Sequence, residues 1–379
     1  MMAESKHSIY GPSSAHRWLN CPGSIKAESE MPEPPESEFA SEGSAAHHLA
    51  EVCLKDGKST TGFLGCAFPE FPDNQVDQEM VDYVQEYVDY VKVLGGHQEY
   101  EQVVHYEEWV PGGFGTADAI VSVGNTLHVV DLKYGKGVPV YAEDNPQGML
   151  YALGALSERD AFQRFTKVVI YVHQPRLEHV SAWEITPLHV YEWADFAKVC
   201  AKLCKSPSAE RIPGEYQCRW CKAKPTCSAL AARTENALMK EFNELELSTP
   251  TPPENLRDVD LRFVLNSKAL IIDWLNAVEK YVKNRIEKGE GFDGFKIVHG
   301  RSNRKWGDEK EAEKKLNNLL GKTKSYNKKL LSVAQAEKVL GKENKGEISH
   351  LIVKPEGAPA LVPDTDKREA ISFVSADDF

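Results

Sequence analysis

The chain has 379 residues, 41% of them hydrophobic, and a formal net charge of −12 at pH 7. That length suffices for one large domain or two smaller ones, and the acidic balance argues against nonspecific coating of nucleic acid, although a local basic groove is compatible with it. No apolar run approaches the roughly 20 residues of a membrane span. The start, Met-Met-Ala-Glu-Ser-Lys-His, has no signal-peptide apolar stretch, so the chain reads as cytoplasmic with no membrane partner. Eight cysteines in such a chain point to metal or reactive thiols before disulfides.

In chain order, Ser13 to Gly23 reads as a short helix capped by Ser13 or Ser14 and stopped by Cys21-Pro22-Gly23. A Pro- and Glu-rich loop follows, then a helix over Ser41 to Lys55 whose face carries His47, Leu49, Ala50 and Leu54; His47 or His48 is a candidate metal ligand. Gln75 to Leu94 has the period of an amphipathic packing helix, and Glu99 to Val110 that of a strand. Glu107 and Glu108 are acids that could extend a site nearby, or be solvated surface.

Ala117 to Val123 and Thr126 to Leu132 are β-branched and apolar, and Gly124-Asn125 between them is a two-residue hairpin turn. With Val123 opposite Thr126, the register puts Asp118 opposite Asp131. Like charges so placed repel and need a compensating cation, which a divalent metal supplies. Lys133, two residues beyond Asp131, points to the same face. An ordinary hairpin with solvated acids satisfies the same spacing.

Asn145-Pro146-Gln147 starts a helix running to about Leu156, with Gln147 and Tyr151 one turn apart. Lys167 to His173 and Val180 to Ile185 read as strands and Pro187 to Cys204 as a helix, which together make an α/β core with a mixed sheet flanked by helices. Cys218, Cys221 and Cys227 have metal-ligand spacing and need a fourth thiolate; Cys21 is the candidate, with Cys200 and Cys204 competing. Residues 248–257, rich in Thr and Pro, read as a linker between a domain over 1–247 and a mainly helical, partly basic region over 258–379. In that region a long helix spans about Asp258 to Lys288, and Glu309 to Leu320 and Ser332 to Leu340 are shorter helices. Phe295 to Trp306 interleaves basic and aromatic residues, with Arg301, Arg304, Lys305 and Trp306 suited to phosphates and stacked bases.

Gly115-Thr116-Ala117-Asp118, Val129-Val130-Asp131-Leu132-Lys133 and Gln147-Gly148-Met149-Leu150-Tyr151, in that order, resemble the nuclease motifs of RecB-type exonucleases in the PD-(D/E)XK superfamily. Gly43-Ser44-Ala45-Ala46-His47 resembles the upstream Gly-x-x-x-His motif and selects His47 over His48. Cys21 with Cys218, Cys221 and Cys227, and the Ser-x-x-Arg-Trp-x-x-Cys-Pro lead-in, resemble the iron–sulfur staple of the AddB subunit and of the CRISPR adaptation nucleases. The match covers roughly residues 10 to 230.

The resemblance implies a restriction-endonuclease-like core in which His47, Asp118, Asp131 and the Leu132 carbonyl bind Mg²⁺ or Mn²⁺. Lys133 would act on the attacking water and the transition state, and Gln147 and Tyr151 would line the DNA path. The cysteines would hold a structural cluster, [4Fe-4S]. The implied activity is a DNA exonuclease in recombination or repair, of a phage-type stand-alone kind acting in the host cytoplasm. With no Walker A motif in the chain, a helicase or a single-strand annealing protein would be a separate partner. A structure-specific or restriction-type endonuclease, and a non-catalytic DNA-end-binding protein with a four-cysteine zinc site, are the alternatives.

Overall fold

The computed structural model describes residues 8–33, 37–159, 164–239, 257–290 and 292–295. In chain order the elements are a 3-10 turn (Pro12–Ser14), α1 (Ala15–Trp18), α2 (Ser24–Ser29), α3 (Glu38–Asp56), the short hairpin β1 (Ala67–Phe68) and β2 (Phe71–Gln75), and α4 (Gln78–Leu94). Then come β3 (His97–His105), β4 (Phe114–Val123), β5 (Thr126–Leu132), α5 (Pro146–Arg159), β6 (Lys167–Gln174), a 3-10 turn (Pro175–Leu177), β7 (His179–Ile185) and α6 (Pro187–Cys204). The chain continues through α7 (Glu215–Arg219), α8 (Ser228–Met239) and α9 (Asp258–Glu287).

Strands β3 to β7 form one sheet in sequential order, parallel only between β5 and β6. The parallel step is bridged by α5, as a crossover requires. One core lies between the sheet and α5, α6 and the N-terminal segment, with Ile120, Leu127, Val129, Leu150, Leu153, Ile170 and Val172 in it. The other lies under α3 and α4, where Ala45, Ala46, Leu49, Val84 and Val88 meet Ala119, Val121, Val130 and Leu132. Neighbours along β5 thus feed opposite cores, as the period of two requires. The mixed sheet flanked by helices is the expected one.

Local chemistry sets the element ends. The Ser37 hydroxyl accepts from the Ala40 N–H, so α3 begins three residues earlier than the apolar pattern suggests; the Asp77 carboxylate caps α4 through Met80 N, so that helix begins at Gln78, three residues later than expected, and Gln75 ends β2. The strand expected over Glu99 to Val110 stops at His105, because Tyr106 to Gly113 folds into a loop closed by Tyr106 N to Gly113 O at 3.0 Å. The β4–β5 register is the expected one from Ala119↔Val130 to Val123↔Thr126, and Gly124 takes φ +56°, a conformation demanded by a two-residue turn.

α9 packs on the cysteine-bearing segment: Leu270 clusters with Cys218 and Leu230, Trp274 and Cys227 pack against that cluster, and the buried Lys224 ammonium pairs with Asp273. The compact unit accordingly runs to Gly291, past the linker and the long helix. The shorter C-terminal helices, and Arg301, Arg304, Lys305 and Trp306, lie outside the described residues. Among the described residues no helix is long and apolar enough to cross a membrane.

His173 on β6 is 1% exposed, stacks on Tyr90 at 5.0 Å, and has an Nδ1 with no partner among the described residues. Burial pushes its pKa down to about 4. The folded chain thus refuses a proton that the unfolded chain accepts, so the contribution of neutral His173 is whole above about pH 6.5 and is lost as pH falls toward 4. Denaturant titrations at about pH 7 and about pH 5 should show His173→Phe losing roughly 2 kcal/mol less stability than the wild-type chain across that interval. Equal losses would contradict the assignment.

Candidate functional site

Tyr100↔Ala119 and Gln102↔Ala117 flank Glu101 and Asp118 on β3 and β4, and Ala119↔Val130 lies one step from Asp118 and Asp131 on β4 and β5. Three acids thus occupy one level of three neighbouring strands. Glu101 takes φ +49° there, a left-handed conformation that is strained for a glutamate within a strand. α3 lies across this row and brings His47 Nδ1 to 3.1 Å from Asp118 Oδ1. The Leu132 N–H donates to Asp118 Oδ2 at 2.6 Å, fixing the carboxylate from its other side. His47, Glu101 and Asp118 each offer a ligand atom, all within 4.8 Å of one another.

Asp131 faces the α5 side of the group. Lys133 Nζ lies 2.8 Å from its Oδ2, and Gln147 Nε2 donates to its Oδ1 at 3.0 Å and to the Tyr151 hydroxyl at 3.2 Å. Gln147 reaches this far because Asn145 Oδ1 caps α5, accepting from Gln147 N at 3.0 Å, and because Gly148 packs directly on Ile170: a Cβ there would stand 2.5 Å from Ile170 Cγ2. Asp131 and Tyr151 are buried at 4% and 6% exposure.

The electrostatics ask for positive charge. Burial and the Asp118 charge push Glu101 up to about 7. Burial raises Asp131 as well, and the Lys133 ammonium offsets only part of that. For His47, burial opposes protonation, but the charge and hydrogen bond of Asp118 prevail and its pKa is raised; Asp118 is lowered in turn, burial being outweighed by His47. Positive charge is thus favoured at the place where His47 meets Asp118, and a hard oxygen-rich group with one imidazole suits Mg²⁺ or Mn²⁺.

Cys21, near the N-terminus, and Cys218, Cys221 and Cys227 line one cavity together with Ala27, Lys224 and Leu230. Cys21 Sγ accepts from Ile212 N at 3.2 Å and Cys218 Sγ from Gly214 N at 3.4 Å, the backbone support that thiolate ligands need. The segment is tied to the N-terminus without any metal. Glu28 on α2 accepts from Lys222 N at 2.8 Å and pairs with Arg17 at 2.8 Å, while Trp18 is wholly buried against Tyr10. Cys200 and Cys204 point instead into the apolar core, and Cys204 Sγ contacts the Trp18 carbonyl at 3.5 Å.

Comparison with known families adds one assignment. A family model described as "Protein of unknown function (DUF2800)" matches residues 7–369. The chain belongs to the DUF2800 family. Among solved structures, one titled "Crystal structure of SSO0001" is 12% identical, with 56% of this chain and 95% of that one covered and a TM-score of 0.24.

In this DUF2800 chain His47, Asp118, Asp131, Lys133, Gln147 and Tyr151 come together, and Leu132 joins them through its N–H. Glu107 and Glu108 are exposed and make none of these contacts. The acid that sequence reading missed is Glu101, six residues before Glu107. Its only trace was an acid near the start of the predicted strand. Manganese titration calorimetry should show Glu101→Gln weakening Mn²⁺ binding by about tenfold or more, as loss of a charged ligand predicts, with Glu107→Gln unchanged. Equal affinities for Glu101→Gln and wild type would remove Glu101 from the site.

Proposed function

We propose that this chain is a metal-dependent DNA nuclease with a PD-(D/E)XK core, acting on DNA ends. The observation that carries the reading is the convergence of His47, Glu101 and Asp118 with the Asp131–Lys133–Gln147 group on one patch of the sheet. His47, Glu101 and Asp118 would hold Mg²⁺ or Mn²⁺, with Asp131 and the Leu132 backbone beside them. When bound, the ion would lower the pKa of a water and neutralise phosphoryl oxygens.

Phosphodiester hydrolysis joins a water oxygen to phosphorus, breaks the bond to one deoxyribose oxygen, and leaves a hydroxyl and a terminal phosphate. Lys133, held by both Asp131 oxygens, is a fixed ammonium that would stabilise charge developing on the phosphoryl group. Gln147 keeps Asp131 oriented and is itself steadied by Tyr151. The buried Asp131 and Tyr151 form the floor, and the partly exposed Lys133 and His47 the rim against which a strand would lie.

The second half of the proposal is a structural [4Fe-4S] cluster on Cys21, Cys218, Cys221 and Cys227. The shared cavity and the N–H donors to two sulfurs support it. The cluster would add to a tether already made by Glu28 and Arg17.

With Mg²⁺ or Mn²⁺, end-labelled linear DNA should be degraded, and Asp131→Ala and Lys133→Ala should each slow this about a hundredfold or more. Variants as fast as wild type would defeat the site. Cleavage of covalently closed circles would make the enzyme an endonuclease instead. Protein purified without oxygen should be brown and carry iron and sulfide that Cys221→Ala loses; a colourless, zinc-loaded protein would defeat the cluster.

A further inference from the structure

Arg176 lies in the 3-10 turn that leaves β6, four residues beyond Val172, the strand partner of Asp131. β5 and β6 leave the sheet side by side, since Lys133 N donates to the His173 carbonyl at 2.9 Å. The Arg176 side chain is 8% exposed, and its guanidinium is shared among three elements. Nη1 donates to both oxygens of Glu42 on α3, at 3.1 and 3.0 Å. Nε and Nη2 reach Glu79 Oε1, in the first turn of α4, at 3.1 and 2.9 Å. Its plane covers the Tyr134 ring at 4.5 Å, and Tyr134 immediately follows Lys133. Lys136 Nζ, 2.5 Å from Glu79, completes a group with two positive and two negative charges.

α3 needs such a tether. Its sheet-facing residues Ala45, Ala46, Leu49 and Ala50 are mostly small, and apolar burial has no preferred direction. Such packing leaves sliding and rotation of the helix weakly opposed. Apart from His47 itself, the side-chain bonds described between α3 and other elements are Glu42 to Arg176 and Ser41 to Asn74, and the second leads to the β1–β2 hairpin. Two charge-assisted hydrogen bonds from one buried guanidinium nitrogen hold the Glu42 carboxylate at a fixed distance, and the bonds of the other two nitrogens to Glu79 keep the guanidinium from turning. Glu42 is five residues before His47 on the same rigid helix, so the pair that fixes Glu42 also fixes where His47 meets Asp118.

We propose that Arg176 is a positioning residue: by clamping Glu42, Glu79 and Tyr134 it sets the place of His47 and Lys133 over the acid row, and so tunes metal binding without touching the metal. The proposal rests on the reading of His47 as a metal ligand. It makes the α3–α4–β5 junction, and not the strand acids alone, a determinant of metal affinity.

The test is Mn²⁺ titration calorimetry on the full chain, with thermal unfolding and linear-DNA digestion run in parallel on wild type, Arg176→Met, Arg176→Lys, Glu42→Gln and the double variant carrying Arg176→Met and Glu42→Gln. Arg176→Met should weaken Mn²⁺ binding about tenfold and raise the Mn²⁺ concentration for half-maximal digestion equally, with KM for DNA at saturating metal unchanged. Arg176→Lys should recover part of the affinity, and Glu42→Gln should add little once Arg176 is Met. An affinity within twofold of wild type in Arg176→Lys and Glu42→Gln, or an Arg176→Met effect confined to melting temperature, would overturn the clamp. If Arg176→Met does not fold, the Lys and Glu42 variants decide alone. Wild type that binds Mn²⁺ but leaves DNA intact would sink the nuclease reading while the affinities still judge the clamp; wild type that binds no Mn²⁺ overturns both.

Discussion

Glu101, Asp118 and Asp131 stand at one level of three adjacent strands, partly or wholly removed from water, and the folded chain must answer the charge it has gathered there. Desolvation pushes Glu101 and Asp131 toward protonation, while Asp118 keeps its charge through His47 and the Leu132 N–H. Lys133 answers Asp131 from the end of its own strand, and His47 answers Asp118 from a helix on the opposite layer. Much of the surrounding architecture follows from this demand. α3 has to cross the sheet at one place, α5 has to start where Gln147 can reach Asp131, and β5 and β6 have to exit together.

The strained backbone at Glu101 belongs to the same account. A left-handed glutamate inside a strand costs of order 1–3 kcal/mol and persists only where its surroundings impose it. Here it is held between two ordinary ladder pairs on either side, and it brings a third carboxylate within reach of His47 and Asp118. A proposed metal site at that spot would give the strain a use.

Much of this was legible before the structure. The Gly124-Asn125 turn and the alternation on either side fixed the hairpin register up to Ala119↔Val130, one step from Asp118 and Asp131; Asn145-Pro146 placed Gln147. Glu101 was not legible, because a strand acid in left-handed backbone breaks the period of two on which sequence reading depends, and nothing local separates it from Glu99, Glu107 or Glu108. Arg176 was hidden for a different reason. Its partners lie 134 and 97 residues away in sequence, so its meaning exists only once three elements are packed. The Thr/Pro stretch before α9 suggested a boundary by composition, yet Asp273, Leu270 and Trp274 attach α9 to the cysteine segment by contacts that composition does not record.

The most direct measurement is a crystal structure of the chain grown with Mn²⁺, with the ion located by its anomalous scattering. The account predicts an ion coordinated by His47, Glu101 and Asp118, with Lys133 still paired to Asp131. An ion bound elsewhere, or a site in which Glu101 and His47 make no contact with it, would contradict the central claim.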